Sequence, residues 1–286
     1  MSQFAHNKVE AYLQKTTTLE LALQLELKKL AGMRLTVIQG SVKDFLLLLY
    51  ELSQMNQKIY RQVLVETGFS EACLADLSIM ELRVQDLIVN PLSKMTKMAI
   101  ACFGISTLTH NEVKVDECTE VALETSLVNT MLACLADIAD TIPSEVKLPG
   151  NSVLGAVVEG ICASKQCAKT WSETRGCTVA EDEFYTKIES SWKALRDVIN
   201  RAKEVTLVLE RIDHKSRREL KYFEPIIPDF EIKHTYHLNR FKRMANWIKT
   251  SCLISNTPLI DRDMNLSRES AEIIVKVQDK LVMSTD

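Results

Sequence analysis

Glycine and proline are scarce in this sequence. The chain of 286 residues has 8 glycines and 6 prolines, together about half of the usual share. Both residues interrupt helices, glycine through its backbone freedom and proline through its missing N–H group. Their scarcity favours helix along most of the chain. A G-x-G-x-x-G motif and an alternation of strand and helix patterns are also missing, which leaves a dinucleotide-binding fold unsupported.

The sequence has no excess of positive charge. Its formal net charge is −3 and its isoelectric point is near 6.0, whereas general nucleic-acid binders are strongly basic. We therefore predict no specific nucleic-acid partner. The charge is uneven, because residues 112–145 are strongly acidic while residues 213–249 hold nine Lys or Arg against five Asp or Glu. Such runs are typical of solvated helix faces.

Long uncharged runs are absent as well. The most apolar stretches are 98–111, 125–136 and 148–164, and the last of these contains Glu159. A helix that crosses a bilayer needs about 18 to 20 consecutive apolar residues, and a carboxylate at mid-bilayer costs about 2.5 to 3.5 kcal/mol. We predict no constitutive transmembrane segment.

The eight cysteines follow no paired spacing. Cys162, Cys167 and Cys177 match neither a zinc ribbon nor a C-x-x-C redox motif. Thiols at apolar helix positions behave as small hydrophobic groups, so we expect reduced cysteines and a cytoplasmic protein. The first residues lack the basic and apolar regions of a secretory signal, and we expect none.

What the sequence does contain is helical periodicity over an unusual length. Residues 177–224 include neither glycine nor proline, and a single helix of that length would be about 70 Å long. A helix of this size outspans an ordinary compact domain. We therefore predict an all-α fold, an elongated helical bundle with long antiparallel helices. The apolar residues that recur at helical spacing here are Phe184, Ile188, Trp192, Leu195, Ile199, Ala202, Leu209 and Ile212.

The N-terminal region carries two competing patterns. Leucines alternate with other residues from Leu19 to Leu27, which is a strand period. The intervening residues are strong helix formers, and Leu19, Leu23, Leu27, Leu30 and Arg34 also form a helical stripe. We predict helix from about residue 8 to 66, as one helix or two joined near 32–40. Ser41 precedes Asp44 by three residues, as in a capping box, and is expected to begin a helix.

We expect a single elongated unit over 1–286. It comprises N-terminal long helices in 1–90, central helices in 91–176, and a long helix with C-terminal helices in 177–286. Residues 143–160 hold two of the prolines and three of the glycines, so we predict an apolar loop or tip there. We also predict a helix that begins after Gly68 and Ser70 and ends before Pro91, a helix over 116–142, a turn at 225–228, a helix over about 233–253 and a cap at Ser267.

Candidate chemistry is sparse. His234 and His237 share one face of a predicted helix, with Asp229 and Glu231 just upstream, and this spacing could hold Zn²⁺. A basic surface cluster is the favoured interpretation, because no His-Glu-x-x-His motif is present.

Two near-motifs occur in the central region. The segment 150–155 is one residue too long for a G-x-S-x-G elbow, and Gly155 and Gly160 have the spacing of a phosphate-binding loop without its Lys and Ser or Thr. We predict no catalytic residue, no cofactor and no small-molecule substrate.

Two segments are candidates for contact with a membrane or a partner. The first is basic and could approach anionic lipid, where each basic residue contributes about 1 kcal/mol. The second is apolar, with Ala156 and Gly160 in a small-xxx-small register; it is expected to pack as a buried hairpin in water and could insert shallowly in lipid. The basic residues are Lys215, Arg217, Arg218 and Lys221, and the apolar ones are Val153, Leu154, Val157, Val158 and Ile161.

The C-terminal third resembles a family. The segments Lys187-Ile-Glu-Ser-Ser-Trp192, Phe223-Glu-Pro-Ile-Ile, Thr257-Pro-Leu-Ile-Asp261 and Asn265-Leu-Ser-Arg-Glu-Ser270 are similar to those of a widespread group of uncharacterised bacterial helical proteins. In that group long terminal helices flank a central Gly/Ala-rich hydrophobic segment. The resemblance implies a helical fold and a membrane-inserting role, and it implies no site residues. In this chain the central segment is reduced to 149–160 and contains Glu159.

These observations lead to two functional hypotheses. The first is a cytoplasmic, non-enzymatic interaction or scaffolding protein that associates with itself or with a protein partner through helix faces. The second is a membrane-active helical protein, lipid-binding or pore-forming, that exposes its central apolar segments on rearrangement and associates peripherally with an anionic membrane surface. A helical enzyme ranks third.

Overall fold

A computed structural model describes residues 3–89, 92–105, 129, 131–136, 152–174, 181–230 and 234–283. Over these residues the chain is almost entirely helical, and the only β pairing among them is an isolated bridge between Ile260 and Leu266. The predicted all-α fold is confirmed. Nine α-helices are defined within the described ranges: α1 (Gln3–Val37), α2 (Lys43–Met55), α3 (Gln57–Thr67), α4 (Glu71–Val89), α5 (Lys94–Phe103), α6 (Val153–Thr174), α7 (Glu181–Phe223), α8 (Thr235–Asn256) and α9 (Arg268–Met283).

The long helix predicted after residue 177 is present as α7. It has 43 residues and is therefore about 65 Å long. All eight apolar residues of its predicted stripe are buried. Helices α1, α6 and α8 pack against α7. Because α7 contacts helices from every region of the chain, it is the central rod of the fold.

The N-terminal helix continues through its two glycines. A π-helical segment, Ile38–Val42, joins α1 to α2 without leaving helical geometry. The expectation that Ser41 begins a helix is wrong, because its hydroxyl donates to the carbonyl of Val37 inside the continuous helix. Gly40 lies in the π-helical segment, and a Cβ there would overlap the guanidinium of Arg217 on α7. The backbone at Gly40 and the side chain of Arg217 therefore lie in close contact.

The helical stripe of α1 is confirmed over the strand pattern. Leu23, Leu27 and Leu30 are fully buried, whereas the alternate leucines at 21 and 25 are 61% and 52% exposed. Arg34, the last member of the stripe, is fully buried too. Its Nη1 donates to the carbonyl of Ile100 and its Nη2 to that of Thr257, both at 2.6 Å.

Two helix ends converge on the Arg34 side chain. Ile100 lies in the last turn of α5 and Thr257 is the C-cap of α8, and both ends carry partial negative charge from the helix dipole. Burial lowers the pKa of the Arg34 guanidinium to about 10. The guanidinium therefore ties α1 to two helix C-termini.

Several predicted boundaries are confirmed. Ser70 caps α4 by accepting from the N–H of Cys73, and α4 ends at Val89 before Pro91. A turn and a short 3₁₀ helix follow Phe223, and Ser267 accepts from the N–H of Ser270 at the start of α9. Most of the helix predicted over 116–142 lies outside the described residues, although 131–135 are helical.

The loop or tip predicted over 143–160 is wrong for residues 153–160, which form the first turns of α6. Residues 143–151 lie outside the described residues. The N-terminus of α6 is anchored by the loop that follows α8. Asn265 Oδ1 accepts from the N–H of Val153, and the carbonyl of Met264 accepts from the N–H of Leu154.

The described helices share one hydrophobic core. Its buried members come from all three predicted regions of the chain, from Val9 in α1 to Leu281 in α9. At the contact between α6 and α7, a Cβ on Gly160 would overlap the Cβ and Oγ of Ser191. The small residues noted in the sequence thus allow α6 to lie close against the central rod.

Candidate interaction surfaces

A groove runs between α2 and the C-terminal part of α7. It has a volume of about 670 Å³ and is open to solvent. The α2 wall carries two carboxylates and two leucines, and the α7 wall carries most of the predicted basic run. The lining residues are Asp44, Leu47, Leu48, Glu51, His214, Arg217, Arg218, Leu220, Lys221 and Glu224.

Three of the four predicted basic residues line this groove. Arg217 forms an ion pair with Asp213, with Nε 2.7 Å from Oδ2, and Nη2 of Arg218 lies 3.5 Å from Glu219 Oε1. Lys221 is exposed. The opposite wall contributes the carboxylates of α2, so the groove is mixed in charge. A surface of this kind attracts an anionic bilayer less strongly than the sequence run alone suggests.

Lys215 is the one predicted basic residue that does not line the groove. Its Nζ lies 5.3 Å from the ring centroid of Trp247 on α8. Partial burial, with Arg218 and Arg243 nearby, lowers the pKa of Lys215. Lys215 therefore lies beside α8, while the other three predicted basic residues line the groove.

The apolar candidates of the central segment lie in the interior. Leu154, Val157, Val158 and Ile161 are buried, and Val153 is half-buried. They pack within the core described above. Within the described ranges, no helix combines the length and the apolar character that crossing a membrane requires.

The histidine pair belongs to an aromatic and ionic cluster. His237 Nδ1 lies 3.1 Å from the hydroxyl of Tyr222, and the His234 and His237 rings are 5.6 Å apart. The Cζ of Arg240 lies 3.4 Å from the centroid of the Tyr222 ring. Its Nε donates to Oε2 of the buried Glu219 carboxylate, 2.7 Å away. Within the part of the chain that the structure describes, no three His, Cys, Asp or Glu side chains are grouped to hold a metal ion. The cluster joins α7 to α8.

Helix α4 carries a second apolar face that sequence reasoning missed. Its core face comprises Leu77, Met80, Glu81 and Val84. On roughly the opposite side lies a run of exposed residues spaced by three and four. Ile79 is 48% exposed, Leu82 56% and Val89 77%. We call this run the outer stripe of α4, and its members are Ala72, Ala75, Ile79, Leu82, Asp86 and Val89.

A signal for the outer stripe was present in the sequence. An ordinary surface helix has one apolar face, whereas α4 is apolar on two. A helix that is apolar all round is ordinarily buried on all sides. The outer stripe of α4 therefore has the character of an interface.

No family model, curated protein or solved structure matches the chain.

Proposed function

We propose that this chain is a non-enzymatic helical interaction protein that associates with itself or with a protein partner through exposed helix faces. The observation that carries the proposal is the outer stripe of α4. The proposal includes no cofactor and no small-molecule substrate. It also includes a cytoplasmic location, which the lack of paired spacing among the cysteines of the sequence supports.

The energetic reason is the cost of leaving this stripe in water. Complete burial of a Val, Leu or Ile side chain is worth about 1.5 to 3 kcal/mol. Ile79, Leu82 and Val89 retain about half or more of their accessible surface. A partner helix laid along α4 removes most of that surface from water and leaves the core of the monomer unchanged.

The test is the mass of the protein in solution. We expect wild-type protein to exceed the monomer mass of 32.4 kDa in sedimentation equilibrium at tens of micromolar. Leu82→Asp should return the mass to that of the monomer. Leu253→Asp on α8 is the matched control, because Leu253 is 52% exposed and Leu82 is 56% exposed. A wild-type monomer throughout would contradict self-association, and equal masses for the two variants would contradict its assignment to α4.

The membrane-active alternative has less support. Insertion of the central apolar segment requires α6 to leave the core. Four of its five candidate apolar residues are buried, and exposing four such side chains to water before they reach lipid costs about 6 to 12 kcal/mol. Each basic residue of α7 contributes about 1 kcal/mol of favourable binding free energy at an anionic surface. Sedimentation with anionic vesicles at low salt tests this alternative, and strong binding would favour it over the first proposal.

A further inference from the structure

We infer that α4 pairs with α4 of a second copy of this chain in an antiparallel arrangement about a two-fold axis. This inference rests on the proposed function and adds its partner and register. It is carried by the spacing of the outer stripe and by the charges beside it.

The outer stripe follows a heptad pattern. Its members alternate between the a and d positions, with Ile79 and Leu82 as the central a and d pair. In an antiparallel pair an a residue of one helix faces a d residue of the other. Ile79 then meets Leu82 of the second copy, and the symmetry repeats that contact. Ala75 faces Asp86, and Ala72 faces Val89, so each larger side chain lies opposite a smaller one in the outer layers.

The flanking charges complement each other in this register. Asp76 and Arg83 both occupy e positions and are both exposed. In an antiparallel pair the e positions of the two helices face each other. Asp76 of each copy therefore lies next to Arg83 of the other, which gives two symmetric ion pairs around the central leucine and isoleucine contacts.

A parallel pairing of the same helices is disfavoured by charge. It would place Asp86 against Asp86 of the second copy at an a position. It would also bring Glu71, at a g position, beside Asp76 at the e position of the other helix. Both contacts join like charges. The antiparallel register replaces them with a layer of alanine against aspartate and with the two ion pairs.

The size of α4 limits the strength of this dimer. The helix has 19 residues and is about 28 Å long. A single helix pair of this length lies at the low end of specific interfaces, so we expect a dissociation constant on the order of micromolar to tens of micromolar. Reversing one charge replaces two attractions by two repulsions and should weaken dimerisation about tenfold.

Charge reversal tests the register. We expect Asp76→Arg and Arg83→Asp each to weaken the dimer in sedimentation equilibrium, and the double variant to recover wild-type association. An equimolar mixture of the two single variants should form a heterodimer, because each Arg then meets an Asp. Glu210→Arg, at an exposed position of α7, is the control and should have no effect. Circular dichroism verifies that each variant is folded.

The outcomes separate this inference from the proposed function. If Leu82→Asp dissociates the protein but neither the double variant nor the mixture recovers association, the register is wrong while self-association through α4 stands. If wild-type protein is a monomer at concentrations up to about a hundred micromolar, the register and self-association through α4 are both wrong. Weakening of the dimer by high salt, together with recovery in the mixture, supports the inference.

Discussion

Gly160 provides a direct test of how α6 packs on α7. It is buried in α6, and Ser191 of α7 is fully buried opposite it. A Cβ at Gly160 would overlap both the Cβ and the Oγ of Ser191, far inside the 3.4 Å at which ordinary contact begins. The hydroxyl can rotate away, but the Cβ of Ser191 is fixed to the backbone. Gly160→Ala therefore forces the two helices apart.

Two effects of opposite sign decide the magnitude. Alanine in place of glycine within a helix stabilises the folded state by about 0.5 to 1 kcal/mol, whereas an overpacked core costs about 1 to 3 kcal/mol. Because a fixed Cβ is involved, we expect the upper half of that cost and a net loss of about 1 to 2.5 kcal/mol. A Cβ on Gly32 in α1 would meet no atom of a packing neighbour within 4 Å, so Gly32→Ala should show only the stabilising effect.

Urea denaturation followed by far-ultraviolet circular dichroism measures both free energies of unfolding. Ser191→Gly removes the opposing Cβ, so in a double-mutant cycle the combined variant should recover much of the loss at Gly160. The reasoning is refuted if Gly160→Ala unfolds at the same urea concentration as Gly32→Ala, or if the coupling energy with Ser191→Gly is near zero.

Two further predictions concern a helix cap and the thiols. The Nζ of Lys249 donates to the carbonyls of Thr67 and Gly68 at the end of α3, so Lys249→Met should cost about 1 to 2 kcal/mol in the same urea assay; an unchanged midpoint would show that water replaces the ammonium at no cost. Burial raises the pKa of the Cys102 and Cys252 thiols to about 12, and thiolates are the reactive species. At pH near 8, mass spectrometry should find Cys73 alkylated well before either of them in native protein and together with them in denaturant, and equal native rates would contradict this burial.

The sequence was sufficient for most of the secondary structure because the signals for a helix are largely local. Low glycine and proline content, together with apolar spacing over 177–224, predicted a long helix, and α7 confirms it. The leucine stripe of α1 was also decided locally, since the alternating residues are strong helix formers. Caps at Ser70 and Ser267 follow from short-range hydrogen bonds. These features depend on neighbours within one or two turns.

Where local signals conflicted with packing, sequence reasoning failed. Glycines and small residues over 153–160 resembled a loop, yet Gly160 is small because α7 lies against it. Ser41 resembled a cap, but the chain continues through a π-helical segment in which Gly40 makes room for Arg217. Each of these residues is explained by a contact with a distant part of the chain, which a local pattern does not contain.

The candidate surfaces divide in the same way. The sequence alone determined an all-α fold, the long helix α7, and the basic and apolar character of two segments. Only the tertiary structure decided which faces are covered: it buries the apolar start of α6, places Lys215 beside Trp247 of α8, and leaves the outer stripe of α4 exposed. The physical reason is that hydrophobicity fixes what a side chain gains from burial, while the arrangement of distant helices fixes whether that burial occurs within one chain.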